Sequence, residues 1–335
     1  MKHKYSIFIV LTVAIGLLIL TTHKTKTLQY FTNQGNIFGT YYNIKYQASE
    51  DLHHVIQEHL QLVDRSLSMF NPHSTISKIN RNEAVELDSL FIEVYATSQQ
   101  VSELSQGAFD ITVAPLVNAW GFGTFEKKHE MDTHQIDSLR NLVGYQKLHF
   151  DGRHITKDNP HMLLDASAIA KGYACDVIAS MLQQYGSENY LVDIGGEVVA
   201  RGHNKQGDKW RIGISSPEDD PTAQQQSIQY IIATDTICIA TSGNYRRYYY
   251  DGNTKRSHTI DPRTGYPVEH SLLSATVIAK GCMQADALAT ACMVLGTQQA
   301  LDMIESTQDA ACYLIASEGD STVVLTSSLW SMYVK

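Results

Sequence analysis

Asp286 and Thr290 stand four residues apart in the segment MQADALATACMVLG, residues 283–296. The run reads as a helix, and at that spacing a carboxylate and a hydroxyl lie one turn apart on the same face. Both are hard oxygen donors, the kind that Mg²⁺ selects. The neighbours Met283, Ala285, Ala287, Leu288, Ala289 and Ala291 are small or apolar, so an unpaired Asp286 would be costly there. The simpler alternative is an aspartate near a helix start with a threonine in the next turn. Spacing alone does not separate the two.

Four other stretches carry candidate chemistry. In LLDASAIAKGYACDVIASML (163–182), Asp165 ends an apolar strand and Lys171 opens a helix. The small residues Ala166, Ser167, Ala168, Ala170 and Gly172 let a ligand approach the backbone. The helix start offers free N–H groups and a favourable dipole for phosphate, and Lys171 adds a charge. The phosphate loop GxxxxGK(S/T) is absent, and a tight strand-to-helix turn with a capping Asp is the alternative. In VDIGGEVVARG (192–202), Gly195 and Gly196 mark a sharp turn or a contact with a flat ligand. No GxGxxG accompanies them, so a Rossmann dinucleotide site is not supported.

Residues 239–268 place Arg246 and Arg247 among Tyr245, Tyr248, Tyr249 and Tyr250, followed by His258, Asp261 and Arg263. That mixture suits an aromatic phosphate compound, or equally a solvated hairpin with cation–π pairs. His258 is a candidate base, because the imidazole pKa is readily set near neutrality; a lone histidine is as readily structural. In GAFDITVAPLVNAWGFG (107–123), Asp110 lies in an apolar run with Phe109, Trp120 and Phe122 available to stack on a ring. Core packing with a capping Asp is the alternative there.

Positioning these groups needs both helices and strands. Helical periodicity predicts helices over 51–69, 88–105, 133–142 and 171–185, with a short turn at 74–80 and the Asp286 helix followed by 297–305. Alternating or β-branched runs predict strands at 39–48, near 147–156, 161–165, 210–214, 228–240, 272–280, 311–316 and 321–326, and a strand–turn–strand at 189–201. Residues 116–130 and 242–270 read as loop. Helices and strands intermix without a regular βαβ repeat, which favours an α+β fold.

The 335 residues, 43% hydrophobic and 18% charged, make an ordinary globular chain with room for one large domain or two intimate ones. Net charge is −9, and residues 1–26 hold four lysines and no acid. A body that acidic argues against sequence-independent nucleic-acid binding. Lys2 and Lys4 precede the apolar run of residues 5–20, a charged region followed by a long hydrophobic one. No small-x-small cleavage site and no Cys follow. An uncleaved N-terminal anchor is therefore favoured over a cleaved signal, with the body outside the cytoplasm. Cys175, Cys238, Cys282, Cys292 and Cys312 show no CxxC or zinc spacing and read as buried thiols.

Taken in order, eight segments resemble the ApbE family of FAD:protein FMN transferases: GTYY (39–42), SMFNPHSTISKIN (68–80), GAFDITVAPLVNAWGFG, DASAIAKGYA (165–174), YLVDIGGEVVARG (190–202), TSGNYRRYY (241–249), HTIDPRTGYPVEH (258–270) and QADALATACMVLG (284–296). The resemblance implies an α+β flavin-transferase fold, mixed sheets with packed helices, over residues 37–335. Ahead of it stand an anchor or signal at 1–22 and a linker at 23–36. It implies Mg²⁺-dependent transfer of FMN from FAD, the substrate, to a Thr or Ser hydroxyl of a partner protein, with AMP released. The implied setting is the bacterial inner membrane, with the catalytic domain facing the periplasm. The implied acceptors are subunits of membrane redox complexes of the sodium-pumping Nqr or the Rnf type. Carried over by position, the metal ligands are the Ala168 carbonyl, Asp286 and Thr290. The FAD contacts are Phe38, Phe70, Ala108, Phe109, Asp110, Asp165, Lys171 and Ile260, and His258 and Lys171 are the catalytic groups.

The chain departs from the family pattern in places. Phe38 replaces a common Met and Phe70 a frequent Tyr; Ala166-Ser167 replaces Leu-Gly, and Ala289 stands where some members have a second acid. The lost Tyr hydroxyl removes a hydrogen bond of about 0.5–1.5 kcal/mol and bears on the balance between transferring and hydrolysing FAD. The competing readings are an FAD pyrophosphatase, with water as nucleophile, and a membrane-tethered flavin-binding protein without turnover.

Overall fold

The computed structural model describes residues 27–123, 131–217, 227–244, 248–251, 254–319 and 321–334. Its strands in chain order are β1 (Gln29–Ile37), β2 (Thr40–Ala48), β3 (Leu148–Phe150), β4 (Ile155–Lys157), β5 (Tyr190–Ile194), β6 (Glu197–Arg201), β7 (Trp210–Ser215), β8 (Ile228–Thr234), β9 (Thr236–Gly243), β10 (Tyr248–Asp251), β11 (Thr254–Ser257), β12 (Leu272–Ile278), β13 (Ala311–Glu318) and β14 (Ser321–Thr326). The helices are α1 (His53–Leu67), α2 (Thr75–Asn80), α3 (Ser89–Leu104), α4 (Ala114–Ala119), α5 (Thr133–Arg140), α6 (Ala170–Gln184), α7 (Cys282–Leu295), α8 (Thr297–Glu305) and α9 (Trp330–Tyr333).

Eight strands form the central sheet in the order β1-β2-β5-β6-β9-β12-β13-β14, and each of its pairings is antiparallel. Alternation along the inner strands feeds two cores, because successive side chains point to opposite faces. Val199, Ala240, Val277, Cys312 and Leu314 join the large core with the helices. Val198, Ile239, Ile278, Tyr313 and Ile315 join a second core, closed by Trp210 and Ile212 of the β7–β8 hairpin and by Trp330 of α9. A sheet buried on both faces explains why these strands read as nearly continuous apolar runs.

On the helical face, α6 packs on β5 and β6, α7 packs on β9 and β12, and α1 and α3 form an outer layer over α6 and α7. Ten of α7's residues are buried, Asp286 among them. Its alanines allow this, since a helix that is apolar all round must be enclosed. Burying Leu288 alone contributes about 1.5–3 kcal/mol.

The structure corrects several expectations. Most of the polar stretch expected as a linker is strand: β1 pairs with β2 along its whole length, Gln29 opposite Ala48 through Ile37 opposite Thr40. As an edge strand it leaves Thr32, Gln34 and Asn36 exposed, so its polarity hid its pairing. The single strand expected at 147–156 is the β3–β4 hairpin, turned by Asp151, whose Oδ1 accepts the Arg153 and His154 N–H groups. The run 228–240 breaks at Asp235 into β8 and β9. Residues 161–165 form no strand; Asn80 holds them by hydrogen bonds to both the carbonyl and the N–H of Leu164. The expected loop at 116–130 overlaps the end of α4, and that at 242–270 contains the β10–β11 hairpin. The expected anchor lies outside the described residues. Among those residues, no helix is long and apolar enough to cross a membrane.

Candidate active site

The site is built where α6 and α7 approach most closely. Gly172 makes the approach possible: a Cβ there would stand 2.2 Å from the Cys282 carbonyl oxygen and 2.7 Å from Asp286 Cβ. Asp176, one turn further along α6, caps α7 from outside. Its two oxygens accept the N–H groups of Cys282 (2.9 Å) and Met283 (2.8 Å), donors that a helix start leaves unsatisfied. Burial pushes its pKa up to about 6, against the pull of those two hydrogen bonds.

Asp286 is 2% exposed. Its Oδ2 accepts the Gly172 N–H at 3.0 Å. Gly172 is the third residue of α6, so its N–H is one of the donors that a helix start leaves unsatisfied, and Asp286 supplies the acceptor. Separately, none of the backbone hydrogen bonds at this helix start runs to the Ala168 carbonyl. On α7, Thr290 Oγ1 lies 3.3 Å from Ser242 Oγ of β9.

Lys171 stands between two acids. Its Nζ is 2.6 Å from Glu197 Oε1 and 4.0 Å from Asp286 Oδ1. Burial pulls the Lys171 pKa down, but the Asp286 and Glu197 carboxylates more than offset this and hold it above the usual lysine value. Burial raises the Glu197 pKa, opposed by the lysine. Glu197 reaches this position because Gly195 and Gly196, at φ +68° and +103°, make a two-residue turn between Ile194 and its partner Glu197. The paired glycines are thus a hairpin turn that aims an acid.

A cleft of about 430 Å³ runs past these groups and is lined by every expected site residue: Phe38, Phe70, Ala108, Phe109, Asp110, Asp165, Ala168, Lys171, His258, Ile260, Asp286 and Thr290. Phe70 is 71% exposed, an apolar ring at the rim. Phe38 sits in the β1–β2 turn at φ +52°, beside Gly39. The His258 ring stands edge-on to Phe122, with centroids 6.3 Å apart. Asp110 and Asp165 line the cleft while serving the scaffold. Asp110 accepts the Thr112 N–H and hydroxyl and the Tyr145 N–H; burial raises its pKa. Asp165 accepts the Ser167 N–H and hydroxyl, so it makes a local turn and does not cap α6.

Of the expected basic stretch, the described arginines bring no charge to the cleft. Arg263 is held bidentate by Asp261, Arg256 pairs with Glu269, and neither lines the cleft. Arg246 and Arg247 lie outside the described residues. Sequence reading missed Glu197, Asp176 and Ser242. The signal for Glu197 was an acid heading an otherwise apolar strand; for Asp176 it was an acid on the packed face of a buried helix.

No cluster of three or more His, Cys, Asp or Glu suited to a metal occurs among the described residues. The candidate donors along the cleft are the Asp286 carboxylate, the Thr290 hydroxyl and the Ala168 carbonyl. All are hard oxygens, which fits a magnesium ion whose remaining positions go to water and phosphate and does not fit zinc.

The ApbE family model matches residues 38–314. A Vibrio cholerae protein described as an FAD:protein FMN transferase is 35% identical over 316 residues, covering 91% of this chain and 93% of that protein. An Escherichia coli protein of the same description is 34% identical over 311 residues, covering 89% and 87%. Among solved structures, the flavin transferase ApbE from Vibrio cholerae superposes with TM-score 0.82 at 35% identity, over 92% of this chain and all of that one. The apo form of the Pseudomonas stutzeri flavinyl transferase ApbE gives 0.80 at 33%, over 92% and 97%. On sequence, fold and the order of its motifs, the chain belongs to the ApbE family.

Proposed function

We propose that this protein transfers FMN from FAD to a Thr or Ser hydroxyl of an acceptor protein and releases AMP. The observation that carries this reading is the cleft lined by Lys171, His258, Asp286, Thr290 and Ala168 in a chain whose relatives are described as FAD:protein FMN transferases.

In the reaction the acceptor oxygen attacks the phosphorus of the FMN half, and the bond from that phosphorus to the bridging oxygen breaks. The bridging oxygen and its electron pair leave with AMP. His258 takes the hydroxyl proton, a contribution of about 10²–10⁴ in rate. The Lys171 ammonium faces the charge that grows on the diphosphate, a positioned charge of the kind that stabilises such transition states. Asp286, Thr290 and the Ala168 carbonyl would hold Mg²⁺, which supplies Lewis-acid neutralisation of the diphosphate. Phe38, Phe70 and Phe109 give the isoalloxazine ring an apolar wall.

The fuller setting belongs to the same proposal. Residues 1–22 tether the domain to the inner membrane with the cleft on the periplasmic side, and the acceptors are subunits of Nqr- or Rnf-type redox complexes. The charged and then apolar N-terminus supports the first part, and the resemblance supports the second.

Incubation with FAD, Mg²⁺ and a Thr-containing acceptor domain tests the reaction. Flavin fluorescence that stays with the denatured acceptor, with AMP in equal amount, is the expected result. Free FMN with AMP would indicate a pyrophosphatase, and FAD left intact would indicate a binding protein.

A further inference from the structure

We propose that Glu197 is a positioning residue that holds the Lys171 ammonium off Asp286 and so keeps that carboxylate free for a divalent cation; this rests on the metal reading of Asp286 above. A lysine at the start of α6, beside a buried aspartate of the facing helix α7, has an obvious partner in it. Asp286 is almost fully enclosed, and a buried carboxylate gains most from the nearest cation. Yet Nζ lies 2.6 Å from Glu197 Oε1 and 4.0 Å from Asp286 Oδ1. The ammonium has been drawn to the acid that the metal site does not use.

Glu197 is built for that purpose. It is 2% exposed, its Oε2 is buried with no hydrogen-bond partner among the described residues, and its Oε1 pairs with Lys171. Its backbone is fixed from two sides. The Gly195-Gly196 turn sets its register against Ile194, and its carbonyl accepts the Cys175 thiol of α6 at 3.2 Å. That contact ties the acid's backbone to α6, the helix that also carries Lys171. On Asp286, Oδ2 is committed to the Gly172 N–H, and Oδ1 is the oxygen that faces Lys171. Without Glu197, the ammonium would close on Oδ1 and oppose a cation there by both charge and space.

Mn²⁺ titration of the full chain without FAD, followed by electron paramagnetic resonance, tests this through a double-mutant cycle. Asp286→Ala sets the baseline and must abolish the site seen in the unaltered chain; if that chain shows no such site, the metal reading itself fails. Glu197→Gln is expected to weaken Mn²⁺ binding by about tenfold or more, and Lys171→Met to recover it in that background while changing it only about twofold alone. Glu197→Asp keeps the charge but shortens the reach by one methylene, and is expected to weaken binding as well. Equal effects of Lys171→Met in both backgrounds, or unchanged binding in Glu197→Gln and Glu197→Asp, would overturn the proposal.

Discussion

Phe38 occupies a position its backbone disfavours. The β1–β2 turn has φ +52° at Phe38 and +71° at Gly39, the geometry that favours Asn-Gly. An aromatic residue in the left-handed region costs about 1–2 kcal/mol, and such strain collects where a side chain serves a ligand. Here that side chain is a wall of the cleft. Phe38→Asn is therefore expected to raise stability by about 0.5–1 kcal/mol in urea unfolding while raising the KM for FAD. A fall in both stability and KM would contradict this. His258 is expected to act only on the proton. His258→Asn should bind FAD normally and lose about 10²–10⁴ in kcat, and unchanged kcat would remove it from the mechanism.

At the scale of elements, the site depends on how α7 is held. Gly172 carries no side chain because the Cys282 carbonyl and Asp286 occupy the space. Gly172→Ala forces the helices apart and is expected to cost about 1–3 kcal/mol and to raise the Mg²⁺ concentration needed for turnover; a stable variant with unchanged metal dependence would argue against the close approach. Asp176 makes α7 sensitive to pH. Its pKa is pushed from 3.8 to about 6 on folding, so the folded chain keeps a proton that the unfolded chain has released. The stability linked to that proton is complete below pH 4 and is lost as pH rises through about 6. Asp176→Asn, which keeps a neutral side chain at every pH, should flatten this part of the stability profile between about pH 4 and 6.5 in urea unfolding, and an unchanged slope there would contradict the assignment.

Across the whole molecule, local pattern was a good guide where one principle acted alone. The period of α1, the small and apolar composition of α7 and the Asp286–Thr290 spacing were legible because burial and helix geometry agree there. β1 was not, since an edge strand needs only one apolar face. Nor was the β8–β9 break, because both strands are apolar and only the turn at Asp235 separates them. In the site, the expected metal, FAD and catalytic residues all line the cleft, but Glu197 and Ser242, which line it too, and Asp176, which caps α7, were not named. Glu197 is brought to Lys171 by a hairpin and a helix distant in sequence, and Asp176 acts across 106 residues on the Cys282 N–H. Such pairings depend on tertiary contacts that no local spacing records.

In the proposed reaction Asp286 carries a metal-dependent transfer of FMN to protein. Intact-mass spectrometry of a Thr-containing acceptor after incubation with FAD, in metal-stripped buffer with and without added Mg²⁺, tests it most directly. An FMN adduct is expected with the unaltered protein only when Mg²⁺ is present, and none with Asp286→Ala under either condition. An adduct formed by Asp286→Ala at the unaltered rate, or formed without Mg²⁺, would contradict it.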